Sequence, residues 1–168
     1  MERDTHFNIY DGFENLSRTT TGGIGTLTIT LDNLNVIDDI GSKIGFIAWE
    51  GDSQLPTETF SVNGTVISNP LNPPNNVFNS TNSVTGSNEL YNMDLDIYDI
   101  QNNIQPGDQS AEIALTSGQD FVMINAVVTK LNSQVPDATI VIDNVYLSCN
   151  SNEVTVDYTV YNLNATNP

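Results

Sequence analysis

The sequence is poor in the residues that most often carry out chemistry in proteins. Its 168 residues include one cysteine and one histidine, Cys149 and His6. A lone cysteine excludes an internal disulfide and leaves the compartment open, since compartment is inferred from cysteine pairing. A Ser-His-Asp or Cys-His arrangement would have to use His6, which lies near the start of the sequence and is interpreted as a surface residue. No zinc spacing, phosphate loop or dinucleotide motif occurs, so we predict no catalytic residues.

Basic residues are also scarce. Four lysines and arginines face 21 aspartates and glutamates, which gives a net charge of -17. A surface this acidic repels phosphate backbones and anionic lipids, which excludes nucleic acid and membrane surfaces as favourable partners. No apolar stretch is long enough to span a bilayer, so membrane insertion is not expected. The charged opening Met1-Glu2-Arg3-Asp4 does not resemble a signal peptide, so a secreted form would be a piece of a longer precursor.

The sequence does contain a series of short segments typical of β-strands. Two of them, Ile44–Trp49 and Phe121–Val128, are apolar on both faces. This pattern is typical of central strands that are buried on two sides, and the β-branched residues of the second segment favour a strand over a helix. Trp49 could lie in the core or form an exposed platform on which a sugar stacks. We favour the core.

Other segments alternate apolar and polar residues, which is the period of a half-buried strand. In Met93–Tyr98 we predict that Met93, Leu95 and Ile97 point inward, which leaves Tyr98 exposed. Asn63-Gly64 predicts a two-residue hairpin, because both positions favour positive φ. The asparagine-rich stretch Asn69–Tyr91 is predicted to be a long loop, a class of segment that is often functional.

The pattern as a whole contains about nine strands at hairpin spacing and no convincing long helix. It predicts an all-β fold, an antiparallel β-sandwich formed by residues 1–150. Residues 151–168 hold one further strand, Glu153–Tyr161. A single strand leaves backbone groups unpaired. This strand is therefore expected either to join the sandwich, with Cys149–Asn152 as a turn, or to open a following module that is truncated here.

Two groups of carboxylates are candidates for a cation site. Asp94, Asp96 and Asp99 follow one another along a strand, and Glu50 and Asp52 follow the Trp49 strand. Oxygen ligands of this kind suit a hard cation such as calcium, although neither group has the spacing of an EF-hand. In both cases a solvated polar surface is the favoured interpretation, and calcium is the alternative. Paired carboxylates of a glycosidase meet in space, so their presence is not indicated by sequence.

Several patches of the chain resemble a domain of large bacterial surface proteins. They are Phe7–Glu14, Ile44–Asp52, Ser61–Gly64, Asn75–Ser80, Met93–Tyr98, Gly107–Ala111 and Gly118–Phe121. The resemblance is to domains of cell-surface adhesins and gliding-associated proteins that Bacteroidota export by the type IX system. The order of the strands is also similar to jelly-roll modules of secreted carbohydrate-active proteins. Separately, Val154–Asn164 resembles the opening strand of immunoglobulin-like adhesion modules.

The resemblance implies a non-catalytic, extracellular domain of a cell-surface adhesin, serving attachment or display on an extracellular surface or glycan. It supplies no catalytic residues. A carbohydrate-binding module of a secreted glycan-active protein is one alternative. A filament subunit that self-associates by strand addition through Glu153–Tyr161 is another.

Overall fold

The computed structural model describes residues 5–133, 138–147 and 152–162. These residues form ten strands and no helix, so none of them lies in a helix long and apolar enough to cross a membrane. The chain divides into two compact units, Met1–Ser133 and Gln134–Pro168. The predicted boundary between residues 150 and 151 lies outside the described residues.

The first unit contains eight strands in two antiparallel sheets. The strands are β1 (Thr5–Ser17), β2 (Gly25–Leu31), β3 (Val36–Trp49), β4 (Glu58–Val62), β5 (Thr65–Val66), β6 (Met93–Asp99), β7 (Ala111–Ser117) and β8 (Phe121–Ser133). One sheet has the order β1-β8-β3-β6 and the other β2-β7-β4-β5. The predicted all-β, antiparallel sandwich is confirmed. The two segments predicted to be central, in β3 and β8, occupy the two inner positions of the first sheet.

An aromatic cluster joins the two sheets. The ring of Phe46 on β3 meets that of Phe60 on β4 edge-on, with 5.1 Å between centroids. It also stacks on Tyr98 of β6 at 5.8 Å and contacts Phe78 of the long loop at 5.6 Å. Phe46, Phe60, Phe78 and Tyr98 are all buried. The core therefore lies between the sheets, and Phe78 fixes the middle of the long loop to it.

The inner face of β6 is the opposite of the predicted one. Asp94, Asp96 and Tyr98 are buried, whereas Ile97 is 41% exposed. Alternation defines two faces of a strand but does not show which of them is covered. Here the aromatic stacking of Tyr98 and the hydrogen bonds to both aspartates, described below, select the face that carries them.

Trp49 was also predicted wrongly. Ile44, Phe46 and Ala48 form the buried face of β3, and Trp49 falls on the other face with 42% of its surface exposed. The hairpin prediction is confirmed, because β4 and β5 pair through Asn63-Gly64. Both turn residues have positive φ, 47° and 78°.

The second unit is a two-stranded antiparallel sheet. It comprises β9 (Ala138–Leu147) and β10 (Val154–Asn162), whose pairs run from Leu147↔Val154 to Ala138↔Asn162. The strand predicted at Glu153–Tyr161 therefore pairs with β9. Cys149 and the two residues after it, which were predicted as a turn, lie outside the described residues.

Candidate functional site

The structure does not bring together the three aspartates proposed as one cation site. Asp94 and Asp96 point inward and are fully buried. Asp99 lies on the other face of β6, where it accepts an ion-paired hydrogen bond of 2.6 Å from Lys43 Nζ. The interpretation of Asp94 and Asp96 as a solvated polar surface is wrong, and so is the convergence of all three on one ion.

Asp94 holds the long loop that covers this end of β6. Its Oδ1 atom accepts two backbone hydrogen bonds, from the amides of Asn79 and Thr81, each 3.0 Å long. Its Oδ2 atom is buried and has no hydrogen-bond partner. Burial raises the pKa of Asp94 to about 7, although the Thr81 and Asn79 amides oppose the shift by stabilising the ionised form.

Asp96 holds the same loop two residues further along the strand. Its Oδ1 atom accepts a hydrogen bond of 3.0 Å from the amide of Ser83, and its Oδ2 atom accepts one of 3.2 Å from Thr81 Oγ1. Burial raises the pKa of Asp96, and hydrogen bonds from Asn72 and Ser83 oppose the shift. Both carboxylate oxygens of Asp96 accept hydrogen bonds, whereas Asp94 Oδ2 is buried and accepts none. Its role is therefore to anchor the loop.

The second predicted pair, Glu50 and Asp52, is exposed, but the residue between them is not. Gly51 is buried, and its carbonyl oxygen accepts a hydrogen bond of 2.7 Å from Ser80 Oγ. A Cβ atom at position 51 would clash with Asp94 Oδ2 and lie 2.8 Å from the carbonyl carbon of Phe78. The Glu50–Asp52 turn thus packs directly on Asp94 through Gly51. The two predicted groups of carboxylates are therefore neighbours in the fold.

Glu58, at the start of β4, belongs to the same region and was not predicted. Its side chain is fully buried. The Oε1 atom accepts a hydrogen bond of 3.2 Å from Ser117 Oγ, whereas Oε2 is buried without a partner. Burial, followed by the negative charge of Asp120, raises the pKa of Glu58 to about 8. Glu58 lies two residues before Phe60 and four before Val62, so all three side chains share one face of the strand. This spacing was the sequence signal that could have identified Glu58.

Asp120, in the turn between β7 and β8, is the other acidic residue that was not predicted. Its Oδ2 atom is buried and unpartnered. Burial raises the pKa of Asp120, and the charges of Asp52 and Glu50 add to the shift. Asp120 is tied to Glu58 through Ser117, whose Oγ atom donates to Glu58 and accepts a hydrogen bond of 3.0 Å from the Asp120 amide.

Four buried oxygen atoms in this region accept no hydrogen bond. They are Glu58 Oε2, Asn76 Oδ1, Asp94 Oδ2 and Asp120 Oδ2, and we call them the oxygen cluster. Asn76 is placed by its bridge to Glu58 and by its Nδ2 atom, which donates to the carbonyl of Ser53. In the described part of the chain, no three acidic, histidine or cysteine side chains by themselves form a metal-binding group. Any ion here would also need amide and carbonyl oxygens.

A second feature is the surface of the β1-β8-β3-β6 sheet that points away from the core, which we call the outer face. Its apolar members are all exposed or half-buried: Phe7, Ile9, Ile47, Trp49, Met93, Leu95, Ile97, Met123, Ala126 and Val128. Trp49 lies in register between Met123 and Met93. The indole is therefore part of an apolar surface that extends over β8, β3 and β6.

No family model, curated protein or solved structure matches this chain.

Proposed function

We propose that this chain is a non-catalytic extracellular domain of a bacterial cell-surface adhesin, in which it serves attachment or display. The observation that carries the proposal is the outer face. Isolated apolar side chains are common on protein surfaces, but a continuous patch that includes an exposed tryptophan marks an interaction site. The resemblance of the chain to surface adhesin domains supports the same assignment.

The rigidity of the sheet suits a binding face. β3 and β8 are each hydrogen-bonded on both edges, and their inward side chains, such as Phe46 and Ile124, are buried in the core. Side chains on the opposite side of the same strands are held in fixed relative positions, so little conformational entropy is lost when a ligand binds. The outer face can therefore bind a flat ligand without rearrangement.

The exposure of Trp49 favours a glycan as the ligand. An indole presents a large apolar surface together with a polar N–H group, which is suited to the mixed apolar and hydroxyl surface of a sugar ring. This is the specific observation in favour of the alternative function, a carbohydrate-binding module of a secreted glycan-active protein. Both functions use the same face and differ in the protein to which the domain is attached.

The test is binding of the chain to a glycan array and to immobilised extracellular surfaces. We expect Trp49→Ala to reduce binding by about tenfold or more, as expected for a tryptophan that an interface buries. Val66→Ala is the matched control, because Val66 is 46% exposed on the other sheet. Equal binding by wild type and Trp49→Ala would exclude the outer face as the attachment site.

The second unit supports a further candidate function, a filament subunit. Apolar side chains on both strands of the β9–β10 hairpin are largely exposed: Ile140, Val141, Ile142, Val145, Tyr146, Leu147, Val154, Val156, Tyr158, Val160 and Tyr161. A two-stranded sheet is marginally stable in water, and its edges are templates for further strands. Strand addition between copies of the chain would complete the sheet.

A further inference from the structure

We propose that Glu58 and Asp94 together bind one calcium ion at the oxygen cluster. This site differs from both candidate sites suggested by the sequence: it includes Asp94, places Glu50 and Asp52 in an outer position, and excludes Asp96 and Asp99. It is also independent of the outer face, on which the proposed attachment function depends.

Two buried acidic side chains in this region have no counter-charge among the described residues. Glu58 and Asp94 are both fully buried, and neither is ion-paired to a basic side chain among the described residues. A buried carboxylate without a counter-charge is costly, so such groups are usually protonated, paired or bound to a metal. The two carboxylates flank the backbone of Phe78, whose amide lies near Glu58 and whose carbonyl group lies with Asp94 Oδ2 beside Gly51. The negative charge of Asp94 adds to the raised pKa of Glu58.

The two oxygen atoms of each carboxylate differ in their hydrogen bonding. Each carboxylate uses one oxygen in the protein's own hydrogen bonds, Glu58 Oε1 with Ser117 and Asp94 Oδ1 with Asn79 and Thr81. The other oxygen of each is buried and accepts no well-formed hydrogen bond, although the amides of Phe78 and Ser80 lie near enough to lower the pKa of Glu58 and Asp94, respectively. Buried polar atoms are almost always satisfied, so these two exceptions in one region call for an explanation. A cation would satisfy both atoms at once.

Glu58 and Asp94 are carried by strands of different sheets. Glu58 begins β4, Asp94 lies near the start of β6, and the loop containing Phe78 passes between them. Backbone bonds fix this loop on both sides, from the Glu58 amide to the Asn75 carbonyl and from the Asn79 amide to Asp94. The two carboxylates are therefore held by strands of different sheets, so a shared ion would join the sheets at this end.

The remaining ligands are of the type that calcium accepts. Calcium takes about six to eight oxygens, with amide and backbone carbonyl oxygens among them. The unpartnered Asn76 Oδ1 is one such neutral donor, and the Phe78 carbonyl oxygen lies beside Gly51 and Asp94. Gly51 has no side chain, and a Cβ atom at this position would clash with Asp94 Oδ2. Asp120, Asp52 and Glu50 add negative potential around the site, which favours a divalent over a monovalent cation.

The test is calorimetric titration of the chelator-treated chain with calcium chloride, together with its thermal unfolding. We expect one calcium per chain and a Tm that rises with calcium concentration, because a cation that binds the native state stabilises it. Sodium chloride at matched ionic strength is the control, since screening alone also relieves charge repulsion. A sodium effect equal to that of calcium would overturn the proposal, as would the absence of calcium binding.

Variants locate the site. Glu58→Gln and Asp94→Asn should each weaken calcium binding by more than about tenfold, while Asp99→Asn should bind as wild type does. Glu58→Gln is the decisive variant if Asp94→Asn does not fold. Unlike Asp94, Glu58 does not accept hydrogen bonds from two backbone amides of the long loop. With chelator present and at a pH above the Glu58 pKa of about 8, Glu58→Gln should melt no lower than wild type, since it removes a buried charge. Unchanged calcium affinity in folded Glu58→Gln would overturn the proposal.

Discussion

The amide of Thr81 donates a hydrogen bond of 3.0 Å to Asp94 Oδ1, and this bond fixes the long loop to the β1-β8-β3-β6 sheet. The same oxygen accepts a bond from the Asn79 amide. One buried carboxylate thus satisfies two backbone donors of the loop, in addition to the backbone bonds that the loop makes within itself and to β6. The order of this loop therefore depends on a side chain of β6.

Replacement of Asp94 by alanine tests this dependence. Asp94→Ala leaves two buried amides without an acceptor, so we expect a loss of about 2–5 kcal/mol of unfolding free energy. Urea unfolding measures the loss, and hydrogen exchange at residues 79 and 81 should accelerate. In the matched variant Asp99→Ala, which removes only an exposed ion pair, the expected loss is below about 1 kcal/mol. Similar losses in the two variants would contradict the anchoring role.

The core aromatic cluster gives a second prediction. Phe46 contacts Phe60, Phe78 and Tyr98 and so joins both sheets and the loop. Phe46→Ala should reduce the unfolding free energy by about 3–5 kcal/mol, because it leaves a cavity among these rings. Phe7→Ala is the control, since Phe7 is 65% exposed and should change stability by about 0.5 kcal/mol or less. A loss below about 1 kcal/mol for Phe46→Ala would place its ring outside the core.

The two buried carboxyl groups predict an unusual pH dependence in chelator-treated protein. The pKa of Glu58 is about 8 and that of Asp94 about 7 in the folded state, compared with about 4 in the unfolded chain. Between these values the folded state holds protons that the unfolded state has released. Stability is therefore highest at low pH within this range, and it falls as pH rises from about 4 to about 8.

Urea unfolding at several pH values, with chelator present, measures this slope. Glu58→Gln is the informative variant, because it carries no titrating group at this position and should flatten the upper part of the curve. A stability that rises between about pH 5 and about pH 8 would contradict the prediction, since it would require carboxyl groups that are ionised more easily in the folded state.

The sequence predicted the strands and their arrangement better than the faces that they bury. Segments apolar on both sides, such as Ile44–Trp49, correctly predicted central strands. The same property made the choice of inner face ambiguous, because either side of β3 could have met the second sheet. Trp49 was assigned to the core, because its neighbours Met93 and Met123 on adjacent strands could not be known before the register.

The candidate site was predicted less well, for a related reason. Carboxylates are rarely buried, so Asp94 and Asp96 were expected to face water. The backbone amides that compensate their burial come from residues 79–83, which carry no periodic signal. Glu58 was missed although it shares a face with Phe60 and Val62. The sequence identified Glu50, Asp52 and Asp94 as candidates, but only the fold shows that Gly51 packs on Asp94.

The exposed hairpin gives the last prediction, which concerns self-association. Ile142 of β9 and Tyr158 of β10 are cross-strand partners, and they are 63% and 61% exposed. If copies of the chain associate through this hairpin, burial of such side chains supplies the driving force. We expect the wild-type chain to associate with increasing concentration in sedimentation velocity. The double variant Ile142→Lys/Tyr158→Glu should associate more weakly, because it replaces the apolar pair by charges.

This double variant separates association from folding of the hairpin. Opposite charges directly across an antiparallel pair stabilise it, so the substitution preserves a favourable contact between β9 and β10 while it removes apolar surface. The Tm of the first unit should not change, since the substituted strands β9 and β10 form a two-stranded sheet of their own. Val66→Lys, an exposed position on β5, controls for the effect of a new charge. Undiminished association of the double variant, with the Val66→Lys control behaving as wild type, would exclude the hairpin as the contact between copies and with it strand addition as the mode of assembly.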